Sequence, residues 1–139
     1  MNSVLLYQVR VAVSAEMSDA LRADPVCASH PAIGSILRKH NATLKCQYDA
    51  FADYVNEAER LGTQNYPLYE WTRDTIENPA KKARYLLSFT VYVNGDQVYA
   101  KEIADDMETE LLKLVDDKSI TGIAKYDTNP ANNPQPPKR

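Results

Sequence analysis

The alternation of hydrophobic and polar positions is clearest in one stretch of the chain, residues 85–101. From Tyr85 to Val93, large apolar side chains occupy every second position, and this period of two predicts a half-buried β-strand. Asn94 and Gly95 come next and favour a type I′ turn, because both central residues of that turn have positive φ. We therefore expect a hairpin whose second strand runs over residues 96–101.

The hydrophobic pattern changes after this hairpin. Apolar residues now recur every three or four positions, which predicts an amphipathic helix over residues 102–115. Its apolar stripe is Ile103, Met107, Leu111, Leu114 and Val115. The remaining positions carry many of the carboxylates: Glu102, Asp105, Asp106, Glu108, Glu110, Asp116 and Asp117. The sequence after this helix predicts a further short strand over residues 119–126.

The first half of the chain predicts one strand followed by helices. Alternation over residues 4–13 predicts the strand. Four helices are then expected, over residues 14–22, 31–40, 46–61 and 66–77. Ser14 is the expected N-cap of the first, and Gly62 is the expected C-cap of the third. Residues 42–47 fit a strand as an alternative, and residues 81–84 fit a basic connector into the hairpin.

Taken in order, these elements predict an α+β domain. The expected fold is a ferredoxin-like (split β-α-β) sheet with a helical insertion between the first and second strands, because about 70 residues separate those two strands. The alternative is a helical subdomain packed on a three- or four-stranded antiparallel sheet. Residues 1–127 form the expected single domain, and the Pro- and Asn-rich residues 128–139 are expected to be disordered.

Charge and cysteine content narrow the class of protein. The net charge of −3 argues against a general binder of nucleic acids or anionic membranes, because these usually have a basic excess. No signal peptide or membrane span is expected. Two cysteines are too few for a disulfide scaffold, so a reducing, cytoplasmic location is the default.

The residue types that carry chemistry cluster weakly. Cys27, His30, His40 and Cys46 include the ligand types of a zinc site or of a Cys–His nucleophile. The separation of His40 and Cys46 is too large for a standard zinc knuckle, and neither cysteine lies in a recognisable nucleophile signature. The acidic run at residues 105–110 is better interpreted as a solvated helix face than as an acid–base pair. We therefore expect no metal and no cofactor, and the sequence leans away from an enzyme.

The leading functional hypothesis is a non-catalytic protein-interaction module, a regulator, adaptor or inhibitor whose partner is another protein or a second copy of itself. Opposed charges and exposed aromatic residues would provide the contacts. The expected partner-binding residues are Arg38, Lys39, Tyr66, Tyr69, Trp71, Asp105, Asp106 and Glu108. The outward face of the sheet is expected to carry Leu86, Tyr92 and Tyr99 beside Gln8, Arg10 and Lys101.

The alternative is a small enzyme or ligand-binding protein with a pocket between the sheet and the inserted helices. Tyr7, Trp71, Tyr85 and Phe89 would line that pocket. His30 or His40 would then act as the acid–base group.

Overall fold

The computed structural model describes residues 6–24 and 30–128. These residues form a mixed structure of strands and helices, so the predicted α+β class is confirmed. The strands are β1 (Tyr7–Val13), β2 (Ala42–Cys46), β3 (Ser88–Val93) and β4 (Ile120–Asp127). The helices are α1 (Ala15–Ala23), α2 (Pro31–Lys39), α3 (Gln47–Leu61), α4 (Tyr69–Glu77), α5 (Pro79–Leu86) and α6 (Lys101–Leu112).

The four strands form one antiparallel sheet in the order β2-β3-β1-β4. Its layout differs from the predicted one, because residues 42–46 form an edge strand that only the alternative interpretation included. The expected single helical insertion is therefore divided into two parts. Helices α1 and α2 connect β1 to β2, and helices α3 to α5 connect β2 to β3.

The prediction of a second hairpin strand over residues 96–101 is wrong. The tight turn itself is present: Asn94 and Gly95 have φ of 52° and 83°, and Val93 and Asp96 exchange two backbone hydrogen bonds of 2.9 Å. Pairing then stops, because β3 already has β2 on one edge and β1 on the other. The chain instead reaches β1, where Tyr7 and Tyr99 pair through their backbones.

Tyr99 is buried, although it was expected on the outward face of the sheet. Its hydroxyl accepts a hydrogen bond from Val9 N at 3.0 Å and donates one to Val91 O at 2.8 Å. Val9 and Val91 are partners in the β1–β3 register, so the hydroxyl bridges these two strands. Burial raises the pKa of this phenol.

One face of the sheet carries the main hydrophobic core. Val9, Val11 and Val13 of β1 are 0–2% exposed and lie in one buried cluster with side chains from β3 and three helices. The helical members of the cluster are Leu21 of α1, Ile33 and Leu37 of α2, and Ala104, Met107 and Leu111 of α6. The expected capping by Ser14 is confirmed, since its hydroxyl accepts from Met17 N at 3.1 Å.

The chain between β2 and β3 forms a separate helical layer. The predicted helix ending at Gly62 is confirmed as α3. A short 3₁₀ turn (Thr63–Asn65) follows Gly62, residues 67–68 form a further turn, and the next helix, α4, begins at Tyr69 rather than Tyr66. The expected basic connector is part of α5, which begins after Asn78 caps Lys81 N. Because α5 continues to Leu86, β3 begins at Ser88, three residues later than predicted.

The last helix and strand are confirmed with shifted ends. Helix α6 ends at Leu112, so Asp116 and Asp117 lie beyond it. The Asp116 carboxylate accepts from the backbone N–H groups of Lys118, Ser119 and Ile120 at 2.9–3.1 Å. These bonds lower the pKa of Asp116 and shape the turn into β4.

Two expectations concern parts of the chain beyond this description. Residues 4 and 5 of the first predicted strand and residues 129–139 of the predicted tail lie outside the described residues. No helix within residues 6–24 and 30–128 is long and apolar enough to cross a membrane.

Candidate binding cleft

An open cleft of about 710 Å³ lies between the helical layer and the face of the sheet opposite the main core. Alternation along β1 and β3 positions its floor: because Val9 and Val91 face the core, their neighbours in the strands face the cleft. Helices α3 to α5 form its wall. The lining residues are Gln8, Arg10, Gln47, Ala50, Phe51, Tyr54, Leu68, Trp71, Thr72, Tyr85, Thr90, Tyr92 and Gln97.

Three aromatic rings, one from each helix of the layer, meet in the cleft wall. Phe51 of α3 packs edge-on against Trp71 of α4, with ring centroids 5.9 Å apart. It packs in the same way against Tyr85 of α5, at 4.9 Å. Edge-to-face pairs at this separation are favourable because ring edges and ring faces have opposite partial charges. The triad therefore fixes the helices relative to one another and gives the cleft a rigid apolar wall.

Three tyrosines hold the beginning of α4 against α3. The Tyr54 hydroxyl accepts from Leu68 N at 3.1 Å, and the hydroxyls of Tyr66 and Tyr69 donate to Glu57 at 3.0 Å and Glu59 at 2.7 Å. The pKa of Tyr66 is raised by desolvation and by Glu57, and that of Tyr69 by its hydrogen bond to Glu59. The hydroxyls of two predicted partner-binding residues, Tyr66 and Tyr69, thus make intramolecular bonds.

Among the residues that the structure describes, Arg10 is the single charged group in the lining. Its guanidinium carbon lies 4.4 Å from the ring centroid of Tyr126, and its Nε donates to Gln8 Oε1 at 2.6 Å. Gln8 in turn donates from Nε2 to Gln97 O at 3.1 Å. Stacking and hydrogen bonding therefore hold the guanidinium in one orientation at the cleft floor.

Gln47 and Thr90 are polar, line the cleft and are both less than 10% exposed. The Ser88 hydroxyl donates to Gln47 Oε1, which fixes the rotation of this amide at the first turn of α3. Thr90 pairs with Arg10 on one side and with Lys45 on the other. Arg10 and Thr90 of this row line the cleft, so polar groups of β1 and β3 form part of its floor beneath the aromatic wall.

Neither histidine lines the cleft. His30 caps α2, where its Nδ1 accepts from Ile33 N at 3.3 Å, and His40 contacts Glu110 of α6. Tyr7 and Phe89, also expected in the pocket, are absent from the lining, whereas Trp71 and Tyr85 are present as expected. The predicted pocket position between sheet and helices is therefore found, with a different floor.

The cysteines and histidines do not converge in the described part of the chain. The buried Cys46 thiol points to the backbone carbonyls of Tyr85 and Leu86, and burial raises its pKa, which opposes activation as a thiolate. Cys27 lies outside the described residues. Within residues 6–24 and 30–128, no three His, Cys, Asp or Glu side chains are placed to hold a metal ion.

The other expected partner-binding residues lie away from the cleft, around α6. Asp105 forms ion pairs with Lys101 at 2.7 Å and with Lys125, and Lys125 also lies 3.3 Å from Glu108. Glu110 joins Lys39 and His40. Arg38 and Asp106 are exposed. Because α6 packs in the main core, this charged group and Trp71 lie on opposite sides of the sheet.

Sequence reasoning missed part of the cleft. Gln8, Arg10 and Tyr92 were expected to share a sheet face, but Phe51 and Tyr54 were not considered as lining and Gln47 was not considered at all. Phe51 lies in the helix predicted over residues 46–61. The hydrophobic pattern predicted this helix but did not indicate which face of the sheet it would cover. Searches of protein-family models, curated proteins and solved structures found no match to this chain.

Proposed function

We propose that this chain is a small non-catalytic binding protein whose cleft takes up a small molecule. The observation that carries this proposal is the cleft itself, a concave site of about 710 Å³ with aromatic walls and a few polar groups at its floor. Small-molecule sites typically have volumes of about 300–1,000 Å³ and this kind of lining.

The chemistry of the lining supports binding over catalysis. Among the described residues it is made of aromatic rings, three of which carry a phenol hydroxyl, three amides, two threonine hydroxyls, aliphatic groups and one guanidinium. Amides and guanidinium groups orient a ligand through hydrogen bonds, and neither changes its protonation near neutral pH. Rings supply apolar contact area for a flat molecule. These groups fit recognition of a ligand better than proton transfer to it.

A cleft-filling variant tests the proposal. Ala50 lines the cleft, so Ala50→Trp should occupy the site without deleting any native side chain. Ala83 is exposed on α5, and Ala83→Trp is the matched control. The probe is N-phenyl-1-naphthylamine, an uncharged dye that fluoresces in apolar surroundings. We expect the unmodified protein and Ala83→Trp to bind the dye and Ala50→Trp to lose at least tenfold in affinity while retaining its circular dichroism spectrum. Equal dye binding by both variants would refute the cleft as the site.

A protein-interaction module is the second candidate function, and one surface favours it. A shallow depression of about 170 Å³ continues from Arg10 across the outer side of β1 and β4. Small side chains line much of it, including Ala12, Gly122 and Ala124, so another protein or a second copy of the chain could approach the sheet closely. Light scattering over a concentration series would detect the second copy.

We also infer that the sheet is an elaborated form of the ferredoxin-like arrangement. Support comes from its antiparallel order β2-β3-β1-β4 and from helical connections between β1 and β2 and between β3 and β4. The three helices between β2 and β3 would then be the elaboration, and they are the helices that form the cleft wall.

We also propose a cytoplasmic location for this protein. The free buried thiol of Cys46 supports this proposal.

A further inference from the structure

The guanidinium of Arg10 is placed to receive a ligand group. Within residues 6–24 and 30–128, the hydrogen bond from Nε to Gln8 is its only hydrogen bond, and no ion pair joins it to a carboxylate. Its two terminal nitrogens therefore have no protein acceptor there. A guanidinium presents such N–H groups as a planar fork that matches the two oxygens of a carboxylate.

The fork is held in place before any ligand binds. Tyr126 supports one face of the guanidinium at 4.4 Å, and Gln8 holds its Nε at 2.6 Å. The amide of Gln8 is itself fixed by the backbone carbonyl of Gln97. A group that is already oriented loses little conformational entropy when it binds, which favours affinity.

The charge around Arg10 favours an anionic ligand with a single charge. In the described part of the chain, no acidic side chain lines the cleft. Lys45 lies in the same row across the sheet, through Thr90, but it pairs with Asp53 of α3. One unpaired cation therefore faces the site, which suits a carboxylate better than a doubly charged phosphate.

We propose that the ligand of this cleft is a planar aromatic carboxylate, with its carboxylate on Arg10 and its rings against Phe51, Trp71 and Tyr85. This inference rests on the proposed ligand-binding function and specifies the class of ligand. The apolar triad and the guanidinium line one cavity, so a single flat molecule with an acid at one end satisfies both.

Nuclear magnetic resonance titration with two probes of equal shape tests the inference. The probes are naphthalene-2-carboxylate and its uncharged amide, naphthalene-2-carboxamide. Trp71 is the one tryptophan of the chain, so its indole N–H signal reports on the cleft wall, and the Arg10 Nε–H signal reports on the floor. We expect both signals to shift and the carboxylate to bind about tenfold more tightly than the amide, because its hydrogen bonds to the guanidinium are charge-assisted.

Variants of Arg10 test whether this residue causes the preference for the carboxylate over the amide. Arg10→Gln should bind the two probes equally, Arg10→Lys should keep part of the preference, and Arg38→Gln, an exposed control on α2, should keep all of it. Equal binding of both probes by the unmodified protein would overturn the inference and leave the binding function intact. Binding of neither probe would refute both, and a preference that survives in Arg10→Gln would exclude Arg10 as its source. If Arg10→Gln does not fold, the ratio in the unmodified protein decides.

Discussion

The two faces of strands β1 and β3 differ in their surroundings and in what they contribute. Odd-numbered residues such as Val9, Val11 and Phe89 are at most 2% exposed and belong to the main core. Even-numbered residues such as Arg10 and Tyr92 line the cleft. Because successive side chains of a strand point to opposite faces, one short segment supplies both the stability of the fold and the floor of the candidate site. Substitutions at neighbouring positions should therefore have separable effects.

The largest expected change in stability distinguishes substitutions on the two faces of β3. Phe89→Ala removes a ring from the core and should lower the free energy of unfolding by about 3–5 kcal/mol, without changing dye affinity in the folded fraction. Tyr92→Ala removes a half-exposed ring from the cleft and should cost about 1 kcal/mol or less, while weakening dye binding. Urea unfolding of both variants measures the free energy of unfolding, and dye titration measures the affinity of the cleft. Similar losses of stability in both variants would contradict the separation of the two faces.

A smaller effect is expected from the hydroxyl that bridges β1 and β3. Tyr99→Phe leaves the Val9 N–H and the Val91 carbonyl without this partner and should cost about 1–3 kcal/mol, the usual penalty for unsatisfied buried polar groups. Tyr126→Phe is the control, because the Tyr126 ring is half-exposed on β4 and should change stability by less than about 0.5 kcal/mol. Thermal unfolding of the two variants compares them, and equal melting temperatures would show that the bridge is dispensable.

The smallest expected effect concerns the charged surface on the core side. Hydrogen bonds from Lys101 and Lys125 lower the pKa of Asp105 below its ordinary value of 3.8. A lowered folded-state pKa means that Asp105 stabilises the fold above pH 3.8, and this contribution is lost as the pH falls through the folded-state value. Asp105→Asn should therefore reduce the loss of stability between about pH 5 and about pH 2.

Asp106→Asn provides the control for that experiment. Asp106 is the next residue on α6, is exposed, and has no ion pair within the part of the chain that the structure describes. We expect its melting temperature to fall with acid as steeply as that of the unmodified protein. An equally steep fall for Asp105→Asn would rule out a role of the Lys101 and Lys125 contacts in acid stability.

The sequence correctly predicted features that depend on only one or two neighbouring residues. The N-cap at Ser14, the turn at Asn94 and Gly95, and the end of α3 at Gly62 were all correct, because each depends on the conformational preferences of one or two residues. The strand predicted after Gly95 failed for a different reason. Whether that segment forms a strand depends on a free sheet edge beside β3, and β2 occupies that edge.

The cleft was only partly predictable for the same reason. Alternation in β1 correctly placed Gln8 and Arg10 on one face, and the helical stripe of α3 correctly predicted that helix. The stripe contains no information about which face of the sheet the helix covers. That choice places Phe51 and Arg10 in the lining of one cleft, and it depends on how the whole chain packs.

The position of Tyr99 has a consequence for how the molecule opens. Tyr99 precedes α6 by two residues, and its hydroxyl lies between the two central strands. Detachment of this residue would release the start of α6 and remove a bridge between β1 and β3 in the same event. The helix and the middle of the sheet are therefore joined in one cooperative unit.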